Sequence, residues 1–265
     1  MSNRQRPETA FVLAAGLGTR MRPLTETMPK AMVRVDGRPL IDHALDRVAA
    51  AGIGRAVVNL HHFAEILERH LGARSTPPGI ALADERGLLL DTGGGLAGAA
   101  ALLGEGPVLA LNADAIFAGP EPLPPLLDAW AGAPAFDALL LLVPRAATVG
   151  YTRPGDFFLE AEQAAGAIGR PRRRGEAAAA PYVYTGAQVL GPAARAIAAE
   201  VGAEAPVFSL NAVWDRLLAA DRLGAVVWPV GAGTPAPDAR WVDVGTPAGI
   251  GEAEAALAAW ARGGA

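Results

Sequence analysis

Leu13-Ala14-Ala15-Gly16-Leu17-Gly18-Thr19-Arg20-Met21-Arg22-Pro23 continues the apolar pair Phe11-Val12. Phe11 to Ala15 reads as a buried strand. Its opening into two glycines predicts a tight turn whose backbone amides face an anion, with Arg20 adding charge. Met21 stands where a dinucleotide fingerprint needs its third glycine, and no Walker A pattern occurs, so those two nucleotide sites are disfavoured.

Outward from that turn, apolar runs alternate with helical spacing. Leu40, Ile41, Ala44, Leu45, Val48 and Ala49 recur as one helix face, with Gly52 as its stop. Ala56 to Leu60 reads as a strand, Ala64 to Leu71 as a helix, Ile80 to Ala83 as an edge strand and Gly95 to Leu103 as a helix. Val108 to Leu111 is a buried strand ending in Asn112-Ala113-Asp114. This rhythm predicts βαβ units, hence an α/β fold with a mostly parallel central sheet flanked by helices. Further on, helices are expected over Leu123 to Trp130, Asn211 to Ala220 with Ser209 as N-cap, and Ala248 to Trp260. Strands are expected over Ala138 to Val143, Tyr182 to Leu190, Val226 to Val230 and Trp241 to Val244. Residues 144–181 read as loops around short strands, and no linker divides the chain.

The 265 residues are 51% hydrophobic and 19% charged with a net charge of -4, a globular composition whose acidity argues against nucleic acid as a partner. Cysteine is absent, which rules out disulfides and thiolate chemistry and is compatible with the cytoplasm. No signal-peptide pattern opens the chain, and apolar runs such as Ala138 to Val143 fall far short of the roughly 20 residues a membrane helix needs. Of the 23 basic residues, Lys30 alone is lysine. A chain that otherwise uses arginine for positive charge is expected to place its one ammonium where a guanidinium would not serve.

Pro29-Lys30 follows the glycine turn, and the whole stretch resembles the opening signature of the sugar-1-phosphate nucleotidyltransferases, G-x-G-T-R-(M/L)-x-P with a P-K about ten residues on. Gly16, Gly18, Thr19, Arg20, Met21, Pro23, Pro29 and Lys30 carry the match. Asp91-Thr92-Gly93-Gly94-Gly95 is similar to a segment of the short bacterial uridylyltransferases that act on N-acetylmuramate 1-phosphate in cell-wall recycling. Trp241-Val242-Asp243-Val244-Gly245-Thr246-Pro247 resembles the closing W-x-D-(V/I)-G-T-P, and Asn112-Ala113-Asp114 stands in place of N-G-D.

The resemblance implies a single Rossmann-like nucleotidyltransferase domain over 1–265, with a nucleotide-binding half over about 1–120 and a sugar-phosphate half over about 121–265. The reaction it implies joins a nucleoside triphosphate to a sugar 1-phosphate by attack of a phosphate oxygen on the α-phosphorus, releasing pyrophosphate. Two anions must be neutralised and aligned, and no nucleophilic side chain is required. Arg20 and Lys30 are assigned to the triphosphate and the charge of the transition state. Asp114 and Asp243 are assigned to Mg²⁺, or Mn²⁺, which prefers hard oxygen ligands. Ala14, Ala15, Gly16, Gly18, Thr19, Gly94 and Gly95 are expected at the nucleotide. Asn112, Asn211, Gly186 and Arg170 are expected at the acceptor, with Arg170 standing where relatives carry the lysine of E-K-P. Base choice is expected near Asp84, Glu85 and Gly87. His61 and His62 read as loop histidines, and Arg172-Arg173-Arg174 as a solvated run.

The D-T-G-G-G segment favours uridylyl transfer to N-acetylmuramate 1-phosphate. Guanylyl or cytidylyl transfer to mannose 1-phosphate, heptose 1-phosphate or phosphocholine is the competing enzymatic reading. Ala113 in place of glycine, and the lack of an acidic residue in Ala115-Ile116-Phe117-Ala118, leave room for a catalytically idle nucleotide-sugar sensor.

Overall fold

The computed structural model describes residues 4–160, 168–228 and 238–263. Strand β1 (Thr9–Leu13) leads through three single-turn helices over residues 19–32 to the hairpin β2 (Arg34–Val35) and β3 (Arg38–Pro39). Then come α1 (Leu40–Ala50), β4 (Arg55–Leu60), α2 (Ala64–Gly72), β5 (Gly79–Asp84), α3 (Asp91–Gly98), α4 (Ala100–Leu103) and β6 (Val108–Asn112). The expected apolar face of α1 is buried, and the chain leaves that helix with the Ile53 amide donating to the Val48 carbonyl at 3.2 Å, around Gly52.

The second half contributes β7 (Ala115–Ala118), α5 (Leu123–Ala131), β8 (Ala138–Pro144), β9 (Thr148–Val149), β10 (Phe157–Glu160), β11 (Arg170–Arg173) and β12 (Tyr182–Leu190). It closes with α6 (Pro192–Glu204), α7 (Asn211–Ala219), β13 (Leu223–Val227), β14 (Arg240–Asp243) and α8 (Ala248–Gly263). The fold is α/β, with β6, β1, β4 and β5 side by side and parallel at the centre of the main sheet. β12 joins β6 antiparallel and carries β8 and β10, so the second half mixes directions.

Each central strand is apolar on both faces because helices cover both sides. Ala10, Val12, Val58 and Leu111 face the core under α1, α2 and α5, while Phe11, Val57 and Ala110 face the core under α3, α6 and α7. A third cluster lies where α8 packs on the small sheet β7-β14-β9, reaching Met21 and Val33 of the segment after β1. That packing brings Trp241 to Pro247 back against the glycine turn.

Several boundaries differ from the sequence reading. The helix expected over Gly95 to Leu103 begins at Asp91 and breaks at Ala99. Helix α7 begins one residue after Leu210, so Ser209 sits a position too early to be the N-cap, although its hydroxyl accepts from the Asn211 amide at 3.3 Å. β13 ends at Val227, and the end expected at Val230 lies outside the described residues. Helix α6 and strand β7 are additional elements: alanine-rich runs lack the contrast that a periodicity argument needs.

β12 shifts register against β8 between Tyr184 and Gln188. Fully buried Thr185 stabilises the irregularity, donating its hydroxyl to the Leu141 carbonyl at 2.8 Å and accepting from the Ala187 amide at 3.3 Å. Thr185→Val leaves both groups unpaired in the core and is expected to cost about 1–3 kcal/mol. Urea unfolding should show a lower midpoint at unchanged slope.

Candidate active site

The turn after β1 is held from below by a chain of buried polar groups. Asn59 on β4 accepts from the Ala14 amide at 2.6 Å and the Ala15 amide at 3.2 Å, and donates to Glu85 at 2.8 Å. Glu85 also accepts from the Leu90 amide at 3.3 Å. The first two amides expected to cradle a nucleotide are therefore committed to Asn59, although Ala15 and Gly16 still line the cavity. Gly18 takes a left-handed φ of 63°, and a Cβ there would lie 2.9 Å from Thr25 and 3.0 Å from Lys30. Thr19 begins the short helix that carries Arg20. The Thr25 hydroxyl donates to the Gly18 carbonyl at 2.8 Å, which ties the turn to the segment bearing Lys30.

The Lys30 ammonium sits on Asp114 at 2.5 Å. Asp114 follows β6 and Asp243 ends β14; Asp243 pairs in register with Ala115, and the Val244 amide donates to the Asp114 carbonyl at 3.1 Å. Burial, and then the neighbouring Asp114 charge, push the Asp243 carboxyl above the ordinary aspartate range, while Lys30, Arg20 and Arg153 oppose that shift. Arg20 lies against Gly245, where a Cβ would come within 3.0 Å of its guanidinium. That close approach gives the glycine of W-V-D-V-G-T-P a physical reason.

Two cavities meet here, and Thr92, Asn112 and Asp114 line both. One, of about 440 Å³, runs along Leu13, Ala15, Gly16, Asn59 and Glu85. The other, of about 380 Å³, holds Arg20 and Asp243 and extends past Gly186 and Asn211 to Tyr184, Gln188 and Trp214. Gly186 takes a φ of 86°, and a Cβ there would meet the Asn112 side chain at 2.9 Å.

Of the expected residues, Ala14, Gly18, Thr19 and Lys30 build the turn and its edge without lining either cavity, and Arg170, Gly94 and Gly95 do not line them either. Arg170 pairs with Asp221 and stacks over Phe136, outside the cleft, because β11 turns alternate side chains to opposite faces. Arg173 faces the cleft instead: its guanidinium donates to Asp215 at 2.7 Å and to Asn211 at 2.8 Å, over the Trp214 ring. The basic run is thus split, with only its middle member lining this cavity. Gly94 and Gly95 do not line either cavity. A Cβ at Gly94 would lie 2.1 Å from the Pro206 carbonyl and one at Gly95 2.7 Å from Glu85, so these glycines serve close packing of α3 while Asp91 and Thr92 line the cleft.

Of the positions named for base choice, Glu85 lines the cavity, whereas Asp84 is exposed and paired with Arg86. His61 and His62 contact the carbonyls of Glu85 and Thr25. The sequence reading missed the structural part of Asn59, and also Arg153, Asp156 and Tyr184. Asp156 accepts from the Tyr151 hydroxyl and the Tyr184 amide, tying Arg153's loop to β12. A buried asparagine inside the apolar strand Ala56 to Leu60 was the one signal available for any of these.

Among the described residues no group of three or more histidine, cysteine or acidic side chains forms a cation site. Asp114 and Asp243 fit a hard divalent cation that shares its remaining positions with water and substrate phosphates, and their mutual repulsion is what such a cation relieves. With Arg20 and Lys30 beside them, the site is suited to gathering phosphates.

Fold and site together define a phosphate-handling transferase of the α/β class. The chain belongs to the nucleotidyl transferase family, whose sequence model matches residues 9–151. It is 42% identical over 262 residues to the N-acetylmuramate alpha-1-phosphate uridylyltransferase of Caulobacter vibrioides, covering 96% of this chain and 98% of that one. A protein of the same name from Neisseria meningitidis is 43% identical over 108 residues, 40% of this chain and 47% of that one. A UDP-glucose pyrophosphorylase complexed with UDP-glucose shares the fold at a TM-score of 0.75 and 17% identity, covering 95% of this chain and 98% of that one.

Lys30→Ala is expected to lower turnover on the order of a hundredfold, the scale of losing one preorganised charge contact. Steady-state pyrophosphate release measures it, and near-complete retention of rate rejects the role. Burial raises the Glu85 carboxyl above the ordinary glutamate value, so the folded state holds this proton more tightly than the unfolded chain. Ionised Glu85 therefore costs stability as pH rises from the usual glutamate range through its raised value, and the cost is absent below that window. Glu85→Gln should remove this component, so thermal melts across the window should move in the variant's favour with rising pH.

Proposed function

We propose that this protein transfers UMP from UTP to N-acetylmuramate 1-phosphate, forming the UDP-sugar and pyrophosphate. The observation that carries the reaction class is the meeting of Asp114 and Asp243 across the β7–β14 ladder, where the two cavities join. Full-length similarity to the Caulobacter uridylyltransferase supports the choice of donor and acceptor.

On this reading the residues of about 1–120 hold the triphosphate beside Asn59 and Glu85. The later half supplies the acceptor cavity and Asp243. Asp114 and Asp243 would hold Mg²⁺, or Mn²⁺, which when bound draws the two phosphates together and neutralises their charge. Arg20 stabilises the negative charge on the phosphates, and Lys30, beside Asp114, adds its charge toward the triphosphate. An acceptor phosphate oxygen forms a bond to the α-phosphorus as the bond to the β-phosphate bridging oxygen breaks, and pyrophosphate departs with that electron pair. Arg20 and Arg153 face the space where the acceptor phosphate would approach.

The Ala113 methyl is buried in the core cluster, which supports keeping Asp114 as a ligand despite that departure. β7 is buried along its whole length, so a further carboxylate there would have no solvent to face. No described helix is long and apolar enough to cross a membrane, in keeping with a cytoplasmic step of cell-wall recycling.

UTP, CTP, GTP and dTTP assayed against the 1-phosphates of N-acetylmuramate, N-acetylglucosamine, glucose and mannose should give the fastest metal-dependent pyrophosphate release for UTP with N-acetylmuramate 1-phosphate. Preference for another triphosphate overturns the donor assignment. Absence of release with every pair restores the sensor reading.

A further inference from the structure

We propose that Tyr184 determines acceptor specificity by donating a hydrogen bond to the carbonyl oxygen of an acetamido group on the acceptor sugar, an inference that rests on the function proposed above. Trp214 sets the direction of this hydrogen-bond network. An indole N–H can only donate, and it reaches the Gln188 amide oxygen at 2.8 Å. This fixes which end of the amide is oxygen. The amide nitrogen of Gln188 must then lie toward Tyr184, where it donates to the phenol oxygen at 2.9 Å.

The phenol is thereby held as an acceptor from Gln188, and its own hydrogen is directed elsewhere. Among the described residues no acceptor takes that hydrogen. Gln188 and Thr185 are fully buried, so the far side of the strand offers no water. Burial also raises the phenol's proton affinity, and the hydroxyl keeps its hydrogen at any working pH.

Tyr184 and Gln188 belong to the acceptor cavity, as does Gly186 between them, where the Asn112 side chain lies against the bare backbone. The Tyr184 ring meets Trp214 edge-on at 4.8 Å, and Phe157 meets Trp214 at 6.3 Å. A sugar hydroxyl also accepts a hydrogen bond, but it offers no apolar group to the aromatic rings beside the phenol, and this combination of donor and rings calls for both at once. It matches an acetamido group, whose carbonyl oxygen accepts strongly and whose methyl requires an apolar wall. A site built to satisfy such a group discriminates against the analogue that lacks it.

N-acetylglucosamine 1-phosphate and glucose 1-phosphate differ only in the acetamido group, so their kcat/KM ratio with UTP isolates the contact. In the wild type the ratio favours the acetamido sugar. Tyr184→Phe should lower that ratio roughly tenfold, mainly through KM, the scale of one hydrogen bond. Trp214→Phe retains the phenol but frees the Gln188 amide to turn over, and should lower the same ratio by a smaller factor. Should Tyr184→Phe be too slow to assay, calorimetric binding of UDP-N-acetylglucosamine and UDP-glucose reads the same ratio. A ratio unchanged in Tyr184→Phe overturns the proposal, as does an equal loss for both sugars, which would place the contact on a shared hydroxyl. A wild type that releases pyrophosphate with UTP but prefers glucose 1-phosphate overturns the acceptor assigned above and removes the basis for this inference with it.

Discussion

Two carboxylates held together in a partly buried cleft repel one another, and much of the molecule is arranged around that repulsion. Asp243 cannot withdraw, because its backbone is locked into the β7–β14 ladder. Asp114 is fixed by the strand before it and by the amide of Val244. Lys30 moderates the conflict from one side and Arg20 from another. An assembly that keeps like charges close, with cations beside them and open space in front, is suited to a ligand that brings neutralising charge.

Keeping such a cluster in place requires rigid support. The Asn59–Glu85 pair anchors the start of the glycine turn from beneath, and Thr25 anchors its end. Glycines then serve where atoms would otherwise collide: Gly18 against Thr25 and Lys30, Gly245 against Arg20, Gly186 against Asn112. In each case the backbone lies as close to a functional side chain as its covalent structure allows, so the glycine sets the position of its neighbour. Binding sites that must hold charge against water depend on this preorganisation.

The cavity that holds Arg20 and Asp243 is built differently. Beyond Arg20, Asp114 and Asp243 its walls come from β10, β11, β12 and α7, where Phe157, Tyr184 and Trp214 pack edge-on among polar side chains. The irregularity in β12 is central, because it lets Tyr184 and Gln188 meet across Gly186 while Thr185 faces the other way into the core. One strand thereby contributes to the main sheet and to the wall of the cavity together.

Local chemistry made much of this legible. Apolar runs long enough for one strand each, separated by one-faced helices, permit few architectures other than helices covering both sides of a parallel sheet, and the solitary lysine stood where it meets Asp114. The places where the reading went astray share a cause. Arg170 and Arg173 are indistinguishable by type, and strand pleating decided which of them enters the cleft. Gly94 and Gly95 looked like ligand contacts, yet Pro206 and Glu85 occupy the space they leave. Composition and spacing settled most of the elements, though not α6 or β7, and which side chains carry charge, since both follow from short-range geometry and burial. Tertiary packing alone determined which of those side chains share the cleft, because the distance between Asp114 and Asp243, or among Tyr184, Gln188 and Trp214, depends on register across strands far apart in the chain.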